Sequence, residues 1–135
     1  MRLSSYRLRQ VKSCNTYLSE NVIFHLIIQA LFGLKYIHDK NIIHGNIKPT
    51  SLLLTENGEV KLGSFGVATT LEQLLNNPQQ MIRTMSYMAP ECLVGEKYDS
   101  KSDIWSLGVV LYEMTALKLP FPDLMKLLIK LSIIG

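Results

Sequence analysis

The stretch Ile43-His44-Gly45-Asn46-Ile47-Lys48-Pro49-Thr50-Ser51 gathers an imidazole, an amide, an ammonium and two hydroxyls into one short run. It lies between an apolar helical pattern and a short apolar strand pattern. A loop in that position usually carries a carboxylate that moves a proton, yet no Asp or Glu stands in it. What remains is narrower chemistry. The Asn46 amide has no basic oxygen near neutral pH and can orient a hydroxyl only by hydrogen bonding. Lys48 supplies the loop's one full charge.

The elements that must position this loop are legible on both sides of it. Val22, Ile23, Leu26, Ile27, Ala30, Leu31, Leu34 and Ile37 recur at three- and four-residue spacing, which predicts a helix from about Ser19 to Asp39 with one wide apolar face. After the loop, Ser51 to Leu54 and Glu59 to Leu62 flank Thr55-Glu56-Asn57-Gly58. Asn-Gly between short apolar runs predicts a hairpin, since both residues tolerate positive φ. Residues 63–90 read as a long loop, with a helical turn near Leu71 to Leu75. A loop of that length inside a compact domain is often functional. Ser100 and Asp103 fit a capping box. The helix they open, Asp103 to Ala116, is apolar nearly all round and so is expected to be buried. Pro120 and Pro122 end it, and Asp123 can cap a last helix, Leu124 to Ile133.

IHGNIKPTSLL, VKLGSFG, YMAPE and KSDIWSLGVVLYEM follow one another in that order. Together they resemble the C-terminal lobe of eukaryotic protein kinases, from about Tyr17 to Phe121. LTENGEVKLGSFGVA and KSDIWSLGVVLYEMTALKLPF look most like the NIMA-related serine/threonine kinases. The resemblance implies a mainly α fold with a small β-hairpin, a kinase-like C-terminal lobe. It implies no N-terminal lobe, because nothing upstream resembles the glycine-rich phosphate loop or the strand lysine. Residues 1–16 are then a basic segment, read as a lead-in helix, and residues 17–135 a truncated lobe.

In such kinases an Asp of the catalytic loop handles the substrate hydroxyl proton, while an Asn and the DFG Asp hold magnesium on the nucleotide phosphates. The resemblance assigns the first role to Asn46 and the magnesium positions to Ser51 and Ser64. All three are neutral, and magnesium usually takes one or two carboxylates besides phosphate and water. Gly45 replaces the arginine that often receives a phosphorylated residue. Thr69, Thr70, Thr84 and Ser86 are the candidate phosphosites in the matching segment, where Met85 and Ser86 replace a usual Pro and Tyr. Lys48 matches a phosphate-contacting lysine; taken alone it is equally a solvated loop lysine. His44 and Phe65 match apolar-stack positions, Asp103 the anchor of the catalytic loop's backbone, and Trp105 the lobe's central support. Glu91 matches a glutamate whose arginine partner lies in a segment this sequence does not reach. A buried carboxylate without its partner costs several kcal/mol, so Glu91 is expected to be exposed, to borrow another cation, or to leave the fragment loose.

The implied function is a catalytically inactive, pseudokinase-like module that binds a protein, an active kinase among the candidates. Residual phosphoryl transfer, with ATP and magnesium, is one alternative; a truncated product without function is the other. No cofactor or metal is expected otherwise. Asp39 and Glu56 are the nearest acids that could replace the lost ones, and both read as surface charge.

Bulk properties fit this. The 135 residues, 47% hydrophobic, suit one domain or a piece of one. A net charge of +3 is too small to imply nucleic acid or membrane. Arg2, Arg7, Arg9 and Lys12 crowd the start, with no acid before Glu20, and read as a solvated helix face or a frayed start; a phosphate- or membrane-contacting arm is the sharper alternative, and a transit peptide fits less well. Cys14 and Cys92 have no metal-like spacing, and a reducing, cytoplasmic setting is the simpler reading, with one disulfide left open. No signal peptide is visible. The best membrane-span candidate, Val22 to Leu34, is interrupted by His25 and Gln29 and is too short.

Overall fold

The computed structural model describes residues 6–7, 17–63, 84–123, 126–127 and 130. Its elements in chain order are β1 (Tyr6–Arg7), α1 (Glu20–Asp39), a 3-10 turn (Pro49–Ser51), β2 (Leu52–Leu54), β3 (Val60–Leu62), α2 (Pro90–Leu93) and α3 (Ser100–Ala116). The fold is mostly helical with a small antiparallel sheet, as expected. The sheet has a third strand the sequence did not suggest. Tyr6 pairs with Leu54 and Arg7 with Leu53, while Leu52, Leu53 and Leu54 pair with Leu62, Lys61 and Val60. At Tyr6–Arg7 the expected lead-in helix is thus replaced by a strand.

Helix α1 starts where Ser19 accepts a hydrogen bond from the Val22 amide, a standard N-cap. It ends in a left-handed turn at Asn41, φ +58. There the Ile42 amide bonds the Ile37 carbonyl and the Asn41 amide bonds that of His38, the Schellman arrangement. That reversal delivers the chain into residues 43–51. Ile23, Leu26, Ile27, Ala30, Leu34 and Ile37 form the buried face. They pack with Ile47, Leu52, Leu107, Val110 and Met114 into one core.

Gln29 fixes the hairpin to α1. Its amide oxygen accepts from the Val60 N–H at 2.9 Å and its amide nitrogen donates to the Gly58 carbonyl at 3.3 Å. The expected tight Asn-Gly turn is a longer connection, residues 55–59. The Gly58 amide bonds the Thr55 carbonyl, and only Gly58, at φ +79, takes the left-handed conformation. Twenty residues long, α1 also meets the length and composition of a membrane span. This corrects the expectation that no such stretch exists; the buried face of α1 belongs to the core just described.

The cap of α3 and its burial differ from expectation. Asp99, not Ser100, is the N-cap; its carboxylate accepts from the Lys101 and Ser102 amides, and Ser102 closes the box by accepting from the Asp99 amide. Asp103 is unavailable for capping because its oxygens are engaged by residues 38–45. The helix ends on Leu117 in the left-handed conformation, φ 55, ahead of both prolines, and Pro122 and Asp123 are themselves helical. It is buried on one side only. Ile104, Trp105, Leu111 and Tyr112 are each more than a third exposed. Trp105, expected to be the lobe's central support, lies on that open side.

Candidate functional site

Asp103 organises the loop. Its carboxylate is fully buried. One oxygen accepts from the His44 amide at 2.9 Å and from the His38 Nε2–H at 2.8 Å; the other accepts from the Gly45 amide at 3.0 Å. The Tyr98 phenol reaches the second oxygen at 3.4 Å, and burial pushes that phenol up to about 12, so it stays protonated. An α1 side chain, an α3 side chain and the loop backbone therefore meet at one carboxylate.

His44 is the second tie. Its Nε2 lies 2.8 Å from the Gly63 carbonyl, and its Nδ1 lies 3.2 Å from the Asn46 amide. A carbonyl can only accept and an amide N–H only donate, so the proton sits on Nε2 and the ring is neutral. Burial pushes the imidazole below its ordinary 6.5, outweighing the Gly63 hydrogen bond and the Asp103 charge, which both act upward. The unfolded chain then takes up this proton near 6.5 and the folded chain only at lower pH. Between those values the unfolded state binds more protons, so stability falls as pH drops. We expect the urea midpoint to decrease from neutral pH toward acid, with a shallower decrease in His44→Gln.

Ser51 is fully buried, and its hydroxyl donates to the Asn46 carbonyl at 2.5 Å. Its amide bonds the Lys48 carbonyl, and its carbonyl receives the Gly63 amide. Both backbone polar groups of Asn46 are thereby engaged. Gly45 sits at φ +77, which a side chain at this position would strain. Lys48 is half-buried, and burial lowers the pKa of its ammonium. Among the described residues no carboxylate lies within ion-pair distance of it.

The segment before α3 is sewn to that helix. Tyr87 donates its hydroxyl to the buried Glu113, and Ser106 donates to the Tyr87 carbonyl at 2.6 Å. Glu91 is half-buried and accepts from the Ser102 hydroxyl at 3.1 Å, a neutral group where exposure or a borrowed cation was expected. Thr84 is half-buried. Ser86 is buried, so modification there requires the segment to open. Ser64, Phe65, Thr69, Thr70 and the turn near Leu71 to Leu75 lie outside the described residues.

The structure brings His44, Asn46, Lys48, Ser51 and Asp103 together, and leaves Trp105 apart. Sequence reasoning missed His38, Tyr87, Ser102, Ser106 and Glu113. A signal was present for three of them: Ser102, Ser106 and Glu113 share the face of α3 that carries Leu107, Val109 and Val110. Polar residues on a buried face need partners.

Ser51, at one of the expected ligand positions, has no exposed surface and spends its proton on a loop carbonyl. Asp39 is tied to Lys35 at 2.7 Å, and Glu56 lies in the hairpin turn. Among the described residues no group of three or more His, Cys, Asp or Glu could hold a metal ion.

An aspartate on a central helix that holds an IHGN loop against a hairpin defines a kinase-like lobe. The protein kinase domain model matches residues 2–133, a wider span than the motifs alone cover, and the chain belongs to that family. It is 43% identical over 115 residues to mitogen-activated protein kinase kinase 2 of Arabidopsis thaliana, covering 84% of this chain and 31% of the relative. It is 42% identical over 116 residues to the serine/threonine-protein kinase Nek5 of Homo sapiens, covering 84% and 16%. A probable serine/threonine-protein kinase nek2 of Dictyostelium discoideum is 41% identical over 117 residues, covering 82% and 28%. The NIMA-related group named from the motifs is thus among its relatives. The chain spans less than a third of each of these proteins.

Proposed function

We propose that this kinase-like lobe is catalytically silent and serves as a protein-interaction module. The observation that carries the reading is Ser51. A buried hydroxyl already bonded to the Asn46 carbonyl binds the loop to itself where a metal ligand would have to face outward. Asn46 adds no base. Loss of general-base help alone lowers a rate by about a hundred- to ten-thousand-fold. The ties through Asp103 and His44 support a loop kept for its shape, and hydrogen bonds to Glu113 and Ser106 hold the segment around Tyr87 to α3.

A thermal melt with and without millimolar magnesium and ATP tests the nucleotide side of this reading. A ligand that binds only the native state raises the midpoint. We expect one cooperative transition that the nucleotide leaves in place. An upward shift that disappears in Lys48→Ala would overturn it.

A further inference from the structure

The hairpin turn holds a reactive pair. Asn57 is followed by Gly58, and of the asparagines in the chain it alone precedes a glycine. Asn21, Asn41 and Asn46 precede Val or Ile, and Asn77 precedes Pro. The difference is chemical. An asparagine side-chain amide is open to attack by the backbone nitrogen of the next residue. A β-branched neighbour crowds that nitrogen, proline carries no N–H, and glycine leaves it bare.

The fold keeps this reactivity at Asn57. Its side chain is exposed. Gly58 takes φ +79, a conformation that selects glycine, and a Cβ there would meet nothing within 4 Å. The turn's need for glycine therefore also leaves the attacking nitrogen unshielded. A hydrogen bond to the Thr55 carbonyl at 3.0 Å holds that nitrogen, and a bond at an exposed turn opens locally at little cost. At Asn41, by contrast, the following amide is bonded to the Ile37 carbonyl at the end of α1. After Asn46 comes Ile47, which is buried.

The same turn is where the hairpin is fixed to α1. Gln29 donates to the Gly58 carbonyl at 3.3 Å and accepts from the Val60 amide at 2.9 Å. Both bonds depend on the length of backbone between Thr55 and Val60.

We propose that Asn57 is a site of spontaneous deamidation whose isoaspartyl product unhooks the hairpin from Gln29. The Gly58 nitrogen gives its proton to solvent base and bonds to the Asn57 side-chain carbon, Cγ. The Cγ–Nδ2 bond breaks, and the nitrogen leaves as ammonia with a proton returned by solvent. Water then opens the cyclic imide. Opening at Cγ gives aspartate. Opening at the main-chain carbonyl gives isoaspartate, in which the chain runs through Cβ and Cγ and the α-carboxylate is free. The second product alone lengthens the turn, by one backbone carbon, and so moves Gly58 away from Gln29. The proposal rests on the turn and is independent of the catalytic reading.

Mass spectrometry of the full chain held at mildly alkaline pH tests it, with fragmentation placing each conversion. Asn57 is expected to convert several-fold faster than Asn41 or Asn46, and Asn57→Gln to leave this position unconverted. Hydrogen exchange reads the consequence. The Val60 amide should be protected in the fresh chain and should lose that protection in the isoaspartyl fraction. Freshly prepared Asn57→Asp, which brings the charge without the extra carbon, should keep it. The His44 amide, held by Asp103, should stay protected in all three. Conversion at Asn57 no faster than at Asn41, a Val60 amide unprotected from the start, or an isoaspartyl fraction as protected as Asn57→Asp would each overturn the proposal.

Discussion

Asp103→Ala is expected to cost the fold about 4 kcal/mol, in the range found when one member of a buried charged network is removed. Three donors converge on this carboxylate at 2.8–3.0 Å, two of them loop amides. The carboxylate itself has no exposed surface. Truncation leaves those donors without that acceptor, and the His44 amide is buried away from water. Each buried donor left so costs about 1–3 kcal/mol. Against a typical total stability of about 5–15 kcal/mol the loss is severe. Asp103→Asn keeps one acceptor oxygen and should lose roughly half as much. Urea denaturation of the native chain and both variants measures this. Hydrogen exchange at the His44 and Gly45 amides locates it, since both should be released together. A loss below about 1 kcal/mol would mean that the loop is held by something other than Asp103.

That network shows where the sequence was informative. Helix α1 was legible because its apolar residues keep three- and four-residue spacing along its length. The hairpin was legible from Asn57-Gly58, although the turn is longer than that dipeptide suggests and only Gly58 needs the left-handed conformation. The cap of α3 was misplaced by one residue. Asp99 and Ser100 are both good caps by type, and only the tertiary demand on Asp103 shows which acid is free to serve. The same helix was expected to be buried all round, since nearly every residue is apolar. Instead Ser102, Ser106 and Glu113 lie inside, while Trp105 and Tyr112 lie at the surface. Its buried polar groups bond to Tyr87, Glu91 and Asp99, positions distant or adjacent in sequence but unpredictable by period. Of the site, His44, Asn46, Lys48, Ser51 and Asp103 could be named from motif order. The hydrogen bond that turns Ser51 inward could not, because it depends on the path of the backbone between Asn46 and Ser51.

In the proposed reading, Ser51 and Asn46 together carry the largest functional consequence, and the losses below are those this reading implies. Their relatives by resemblance bring a base and a metal ligand, and here one is an amide and the other a buried hydroxyl bonded to its own loop. Loss of the base alone raises the barrier by roughly 3–5 kcal/mol. Loss of the ligand leaves charge on a transferring phosphoryl group without its usual counterweight, and the two losses need not add. Asn46→Asp alone should therefore restore nothing, since Ser51 remains as it is. The decisive measurement is transfer of labelled phosphate from ATP, with magnesium, to a protein substrate by the purified chain and by Asn46→Asp. Incorporation no greater than in a protein-free control is expected for both. Incorporation above that control, abolished by Lys48→Ala and leaving the melt unchanged, would contradict catalytic silence directly.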